Sequence, residues 1–220
     1  MTFNNVRYIY LCFFMFIFIF IIYKIKLEHI RDEIINNNAV FTPEIDYLLT
    51  KQGTKQSVLD FGGGNKCAFQ NVVESKIKNN NFIITTIDIQ KHRNNTSKNY
   101  IQYDGVHIPF SDNYFDIIVC NFVLHHIPRK QQSLILQELS RVCKKSIMII
   151  EDIQINPIGI IFSKLHYIFF KQAPSMIESM HSEKHWINLM KNFGFQLKDK
   201  KRIKGKLYGI EHVYLLLNKK

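Results

Sequence analysis

Val58-Leu59-Asp60-Phe61-Gly62-Gly63-Gly64-Asn65 decides the fold. A short apolar run, Ser57–Phe61, stops at three consecutive glycines, and a helical pattern follows over Lys66–Lys78. An apolar run bounded by glycine suits a buried strand that must turn sharply. Glycine there admits positive φ and lets a ligand approach the backbone closely. By itself the turn fits a phosphate loop, a dinucleotide turn or a tight connection. No Gly-Lys-Ser/Thr follows, which argues against a P-loop.

Outward from this turn, strand-like and helical patterns alternate. Phe82–Ile89, Tyr100–Tyr103, Tyr114–Cys120 and Ser146–Ile150 read as strands. Gln131–Val142 and His181–Asn192 read as helices, the first with Leu134, Leu136, Leu139 and Val142 as its apolar positions. Phe195–Lys201 and Ile210–Leu217 are strands joined by a basic turn, which favours an antiparallel hairpin. Upstream, Thr42-Pro43-Glu44 is a helix start, with Thr as cap and Pro at the first helical position. The expected fold is α/β: a Rossmann-like, doubly wound, mostly parallel seven-stranded sheet with a C-terminal antiparallel hairpin. An N-terminal transmembrane helix is expected before it.

Ligands in such sheets sit outside the carboxyl ends of the strands. Asp88 ends the second strand, where a carboxylate can accept from both hydroxyls of a ribose. Asp104 follows the third, in Tyr103-Asp104-Gly105-Val106-His107-Ile108-Pro109-Phe110. Phe115-Asp116 opens the fourth strand, and Asn121-Phe122-Val123-Leu124-His125-His126-Ile127 closes it. Glu138-Leu139-Ser140-Arg141-Val142 precedes the fifth.

In this order and spacing the residues resemble the class I S-adenosylmethionine-dependent methyltransferases, in particular the small-molecule and lipid group with a methyltransferase type 11-like domain. The resemblance covers about residues 55–217. It implies S-adenosylmethionine as cofactor. It implies that Asp60, Phe61, Gly62, Gly63 and Gly64 hold the methionine part, that Asp88 and Ile89 hold the ribose, and that Asp104 and Gly105 meet the adenine. Asn121 and Phe122 would face the sulfonium and the acceptor. Two departures stand out: Lys66 occupies a position where the family often has glycine, and Cys143-Lys144-Lys145-Ser146 replaces its usual Lys-Pro-Gly-Gly turn.

Methyl transfer needs proximity and alignment, and a general base only when the acceptor is a hydroxyl or a protonated amine. The candidate catalytic residues are His126 and Asp152, the latter placed just beyond the fifth strand. His126 competes with a packing role at a helix start. Asp116 reads as structural. His181 and His185 have the i,i+4 spacing of metal ligands without a third ligand, so no metal site is expected. Trp186 reads as core.

Tyr8–Tyr23 is uncharged and almost wholly apolar, bounded by Arg7 and Lys24. As a helix it would span roughly 24 Å, slightly short of a hydrocarbon core of about 30 Å. Snorkelling by Arg7 and Lys24 makes up the difference. A signal peptide fits less well, because no small-x-small cleavage site follows. Lys24, Lys26 and Arg31 outnumber Arg7 across the span and favour a cytosolic C-terminal domain. The expected organisation is an anchor at 1–26, juxtamembrane helices at 27–54 and a methyltransferase domain at 55–220. The expected location is a membrane, single-pass.

The chain has 220 residues and a formal net charge of +11. Residues 51–220 hold 25 Lys and Arg against 13 Asp and Glu, so the charge lies there. A basic domain suits nucleic acid or an anionic membrane. Asn121-Phe122-Val123 lacks the Asn-Pro-Pro-aromatic stretch of amino-directed DNA methyltransferases, so nucleic acid is not the favoured partner. The favoured acceptor is a small or lipid-like molecule. Ile153–Phe170, strongly apolar and aromatic, is either a core helix or a lid for such an acceptor. The alternatives are an inactive, anchored methyltransferase-like binding module and a nucleic-acid or protein methyltransferase. The four cysteines form no Cys-x-x-Cys pair, so neither a zinc knuckle nor a disulfide framework is expected.

Overall fold

The computed structural model describes residues 14, 15, 18, 21, 22, 41–51, 53–64, 67–77, 81–91, 99–154, 181–203 and 210–220. The chain divides between Thr42 and Pro43 into two compact units. In the first, Phe14, Met15, Phe18, Ile21 and Ile22 are helical, with exposed side chains. The rest of the expected anchor lies outside the described residues. No helix among the described residues is long and apolar enough to cross a membrane.

The second unit carries the sheet. Its elements are α1 (Thr42–Leu49), β1 (Gln56–Phe61), α2 (Ala68–Lys76), β2 (Phe82–Asp88), β3 (Tyr100–Gln102) and β4 (Phe115–Asn121), then α3 (Arg129–Val142), β5 (Cys143–Gln154), α4 (Glu183–Asn192), β6 (Phe195–Ile203) and β7 (Ile210–Lys219). The strand order is β3-β2-β1-β4-β5-β7-β6. β1 to β5 pair in parallel, and β7 enters antiparallel between β5 and β6. The order reverses between β1 and β4, which opens a crevice at their carboxyl ends.

Central parallel strands are covered on both faces and so read as continuous apolar runs. Ile117–Cys120 and Ile147–Ile150 are all buried for this reason. One face packs Leu59, Ile118, Ile149 and Leu215 under α3 and α4, around Leu136, Leu139, Trp186 and Met190. The alternate residues of the same strands, Asp60, Asn121, Ile150, Asp152 and Tyr214, turn to the opposite face. There Leu48 of α1 and Phe69 and Val73 of α2 are buried. Tyr47 of α1 meets Ser146 of β5 at 3.1 Å. Each such fully buried aliphatic or aromatic side chain contributes about 1.5–3 kcal/mol, so these two layers dominate the stability.

The fifth strand is longer than the expected Ser146–Ile150. It leaves α3 directly at Cys143 and runs to Gln154, so Asp152 lies inside the strand rather than beyond it. Its pairing with β7, from Ser146↔Asn218 to Gln154↔Ile210, sustains the extra length. α4 begins at Glu183 rather than His181, because Ser182 caps it by accepting from the His185 N–H at 3.3 Å.

Loop geometry is pinned by charge. Arg141 donates to the carbonyls of Ile108 and Phe110 and to the carboxylates of Glu138 and Asp112. Glu138 in turn accepts from the Ile108 N–H. The Glu-x-x-Arg pair of α3 thus clamps the segment after β3. Asp116 accepts from the Ser57 N–H and hydroxyl and pairs with Lys145 at 2.8 Å. It ties β1 to β4 at the end remote from the crevice, as its structural reading requires.

Candidate functional site at the strand carboxyl ends

The glycine turn closes over β1 with almost no spare room. Gly62 has φ +68°, and a Cβ there would lie 2.2 Å from Val123 Cγ2. A Cβ on Gly63 would lie 2.2 Å from the Asp60 carboxylate. Gly64, at φ +67°, faces open space, with nothing within 4 Å of a Cβ. One side of the turn is therefore packed and the other is accessible backbone, as a cradle for a ligand requires.

Asp88 holds this turn from the neighbouring strand. Its Oδ2 accepts from the Gly64 N–H at 2.9 Å, and its Oδ1 accepts from Gln90 N–H. Ile89 is exposed beside it and packs its Cγ2 against Gly105, 3.2 Å from where a Cβ would stand. Asp104 is exposed, and its Oδ1 accepts from the N–H groups of Val106 and His107. These bonds hold its carboxyl below the ordinary carboxylate range. The ends of β2 and β3 thus bring Asp88, Ile89, Asp104 and Gly105 together, as expected of one ligand site.

Asp60 and Phe61 lie differently. The Phe61 side chain is core on the α3 face, 6.0 Å from the Tyr103 ring, so only its backbone meets the turn. Asp60 sits beneath Gly63, buried on the opposite face, where Thr86 Oγ1 lies 3.2 Å from its carboxyl and 3.2 Å from Gln70 Oε1. Burial pushes its pKa up to about 7. A protonated Asp60 donates to Thr86, which then donates to Gln70, and every proton in the chain is placed. Asp60 supports the turn from below.

After β4 the backbone turns through Phe122 at φ +55°. The device that holds it is Glu151 of β5, which no motif announces. Glu151 is fully buried and accepts from Val123 N–H at 3.0 Å, Leu124 N–H at 2.7 Å and His125 Nδ1 at 2.6 Å. Burial alone would depress the His125 pKa, but the Glu151 charge prevails and raises it to about 9. His125 is therefore a buried, paired structural group. His126 is exposed, its ring 4.2 Å from that of His125.

Beside this turn two further polar groups converge. Asp152 accepts from His212 Nδ1 of β7 at 2.6 Å, and the His212 ring stands edge-on to Phe122 at 5.0 Å. Burial works against ionised Asp152, yet the hydrogen bond from His212 and the charges of His125, His212 and His126 together outweigh it and lower its pKa. His212 was invisible to motif reading, because the antiparallel register that places it opposite Asp152 spans sixty residues. The second group is Glu44 of α1. Its carboxyl is fully buried, and both its oxygens lack hydrogen-bond partners among the described residues. Both polar atoms of the Asn121 amide are buried without hydrogen-bond partners among the described residues as well. Burial drives Glu44 well above the carboxylate range; its own backbone and the nearby Asn121 amide, which stands close without hydrogen-bond geometry, oppose the shift, and Asp60 reinforces it.

Other expected features fall elsewhere. His181 and His185 stack at 3.8 Å, with His181 Nε2 on Gln132 Oε1 at 2.9 Å. Burial pushes His181 down to about 4. Since α4 starts after His181, the two are not an i,i+4 pair on one helix. Trp186 is core. Lys66, residues 94–97 with their two overlapping glycosylation sequons, Asn94-Asn95-Thr96 and Asn95-Thr96-Ser97, and residues 155–170 of the apolar stretch lie outside the described residues.

A glycine cradle at the switch point, acids ending β2 and β3, and a sheet ordered 3-2-1-4-5-7-6 define a class I S-adenosylmethionine-dependent methyltransferase. A methyltransferase-domain family profile matches residues 29–200, and the chain belongs to that family. Several solved structures share the fold. Magnesium protoporphyrin IX methyltransferase of Synechocystis PCC 6803, solved with S-adenosylhomocysteine, is 14% identical with TM-score 0.62, over 88% of this chain and 86% of that one. The 1,6-didemethyltoxoflavin N1-methyltransferase of Burkholderia thailandensis is 13% identical with TM-score 0.59, over 92% and 88%. An S-adenosylmethionine-dependent methyltransferase of Methanosarcina mazei is 16% identical with TM-score 0.58, over 79% and 96%. At these identities the likeness concerns the fold alone. No match is found among curated proteins.

Proposed function

We propose that this methyltransferase takes its methyl group from S-adenosylmethionine bound at the carboxyl ends of β1, β2 and β4, and passes it to a small, lipid-like acceptor. The observation that carries the cofactor site is the Gly62–Gly64 cradle, packed below and open above, fixed by the 2.9 Å bond from Gly64 N–H to Asp88. The buried Asn121 amide, without a hydrogen-bond partner among the described residues, supports a ligand completing the hydrogen bonding in the same crevice. Two of the structural neighbours are known with small-molecule acceptors in their names, which favours that acceptor class.

The cofactor supplies an electrophilic methyl on a sulfonium. The chain's own residues supply position. The backbone of Gly62–Gly64 would receive the methionine portion, the free faces of Asp88 and Asp104 the ribose and the adenine. Phe122, held at positive φ by the Glu151 anchor, would form the wall between cofactor and acceptor. Asp152 orients His212 through Nδ1, leaving Nε2 without a hydrogen-bond partner among the described residues. That nitrogen would take a proton from a hydroxyl or ammonium acceptor. His212 therefore joins Asp152 on the acceptor side, ahead of exposed His126.

The lipid-like character rests on the sequence: Tyr8–Tyr23 is a candidate anchor, and Ile153–Phe170 is apolar and aromatic. The helical, exposed Phe14, Met15, Phe18, Ile21 and Ile22 agree with an apolar segment seeking lipid. The basic residues after the span favour a cytosol-facing enzyme. The test is transfer of radiolabelled methyl from S-adenosylmethionine into lipid extracts and into polar metabolite extracts. Label in a lipid fraction supports the reading. Label confined to polar products, or none from folded protein, refutes it. Anchoring is checked by carbonate extraction, with retention in the membrane pellet expected, and cytosolic orientation by absence of glycosylation at Asn94 and Asn95.

A further inference from the structure

Glu44 is the most anomalous side chain in the unit. A carboxyl removed from water is costly unless it is paired, and a partnerless buried group calls for an explanation. Its surroundings come from three strands. Asn121 ends β4, Asp60 lies near the end of β1, and Tyr214 of β7 has its hydroxyl pKa raised by burial first and by Glu44 next. Asp46 and Tyr47 are the remaining titratable groups of its own helix. No cation faces it among these groups. Two acids and an amide thus gather there, with no cation among the described groups that act on Glu44.

The ligand inferred for this crevice carries the missing charge. S-adenosylmethionine has a fixed positive sulfonium, and S-adenosylhomocysteine, the product, has a neutral thioether in its place. Both carry the same amino-acid ammonium. We propose that the Glu44 carboxylate, backed by the Asn121 amide, is the counter-charge for the sulfonium at the carboxyl ends of β1 and β4. This rests on the cofactor reading given above. Burial favours the protonated form of Glu44 in the free protein. On binding S-adenosylmethionine the carboxyl ionises, its proton leaves to the buffer, and the anion faces the sulfonium. After transfer the thioether no longer balances the carboxylate, and one proton returns as the product leaves. The site thus prefers substrate over product.

Titration calorimetry of the full chain tests this. Both cofactor forms are bound at pH 7 in phosphate and in Tris, which differ in ionisation enthalpy. The wild type is expected to release a proton with S-adenosylmethionine and not with S-adenosylhomocysteine. Glu44→Gln keeps the shape and removes the charge. It is expected to abolish that release and weaken S-adenosylmethionine by at least about 10-fold, the lower end of the coupling between close charge pairs, while S-adenosylhomocysteine changes less than about twofold. Equal weakening of both would place Glu44 against the shared ammonium and overturn the proposal. Unchanged affinity for both would also overturn it. Equal proton release for both ligands in the wild type overturns it without any variant, should Glu44→Gln fail to fold. Failure of the folded wild type to bind either ligand would instead sink the cofactor reading, and this inference with it.

Discussion

Glu151→Gln should destabilise the protein in a strongly pH-dependent way. Glu151 and His125 are both buried, and their 2.6 Å contact raises the His125 pKa from 6.5 to about 9. A group whose folded pKa is raised contributes fully below its unfolded value and loses that contribution as pH rises through the folded value. The window is therefore pH 6.5 to about 9. At about 1.4 kcal/mol per pH unit, the pair is worth about 3 kcal/mol at pH 6. Glutamine still offers an oxygen to the Val123 and Leu124 N–H groups, so it removes the charge and little else. Urea unfolding of wild type and variant at pH 6.0 and pH 9.5 reads the effect. The expected loss is about 3 kcal/mol at the lower pH and below about 1 kcal/mol at the higher. An equal loss at both would mean that His125 is neutral throughout, and would refute the ion-pair account of the turn after β4.

Asp60→Asn should act with the opposite sign. The raised Asp60 pKa means its ionisation costs about 4 kcal/mol by pH 7. The variant should be more stable than wild type at pH 7–8, with the gain vanishing near pH 4, as followed by thermal unfolding. Gly62→Ala drives a methyl into Val123 at positive φ and should cost about 3 kcal/mol, whereas Gly64→Ala, which meets nothing, should cost about 1 kcal/mol in the same melts. Arg141→Lys loses the planar fork that reaches Ile108, Phe110 and Glu138 together. Hydrogen exchange should then speed up at Ile108, whose N–H is held by Glu138, while exchange in β1 stays unchanged.

The sheet was legible because its central strands are apolar runs separated by glycine or polar breaks, a pattern set by burial on both faces. The glycine turn, Asp88 and Asp104 were legible because their chemistry is local: a turn, and acids at strand ends. Glu151, His212 and Glu44 were not. Glu151 looks like an ordinary acid in a strand, and its importance comes from three donors that reach it only once β4 and β5 pair. His212 acquires its partner through the β5–β7 register. Glu44 stands in what reads as an unremarkable helix start, and only the packing of α1 against the sheet shows that it is buried. His125 and His126 were separable only in three dimensions, since adjacent residues in a short turn take opposite environments.

The central claim is that the crevice at the ends of β1 and β2 holds the cofactor. Calorimetric titration of the full chain with S-adenosylhomocysteine, beside Asp88→Ala, tests it most directly. Saturable one-to-one binding by the wild type is expected, weakened at least about tenfold in the variant. Binding that is indifferent to Asp88, or absent from a folded chain, would contradict it.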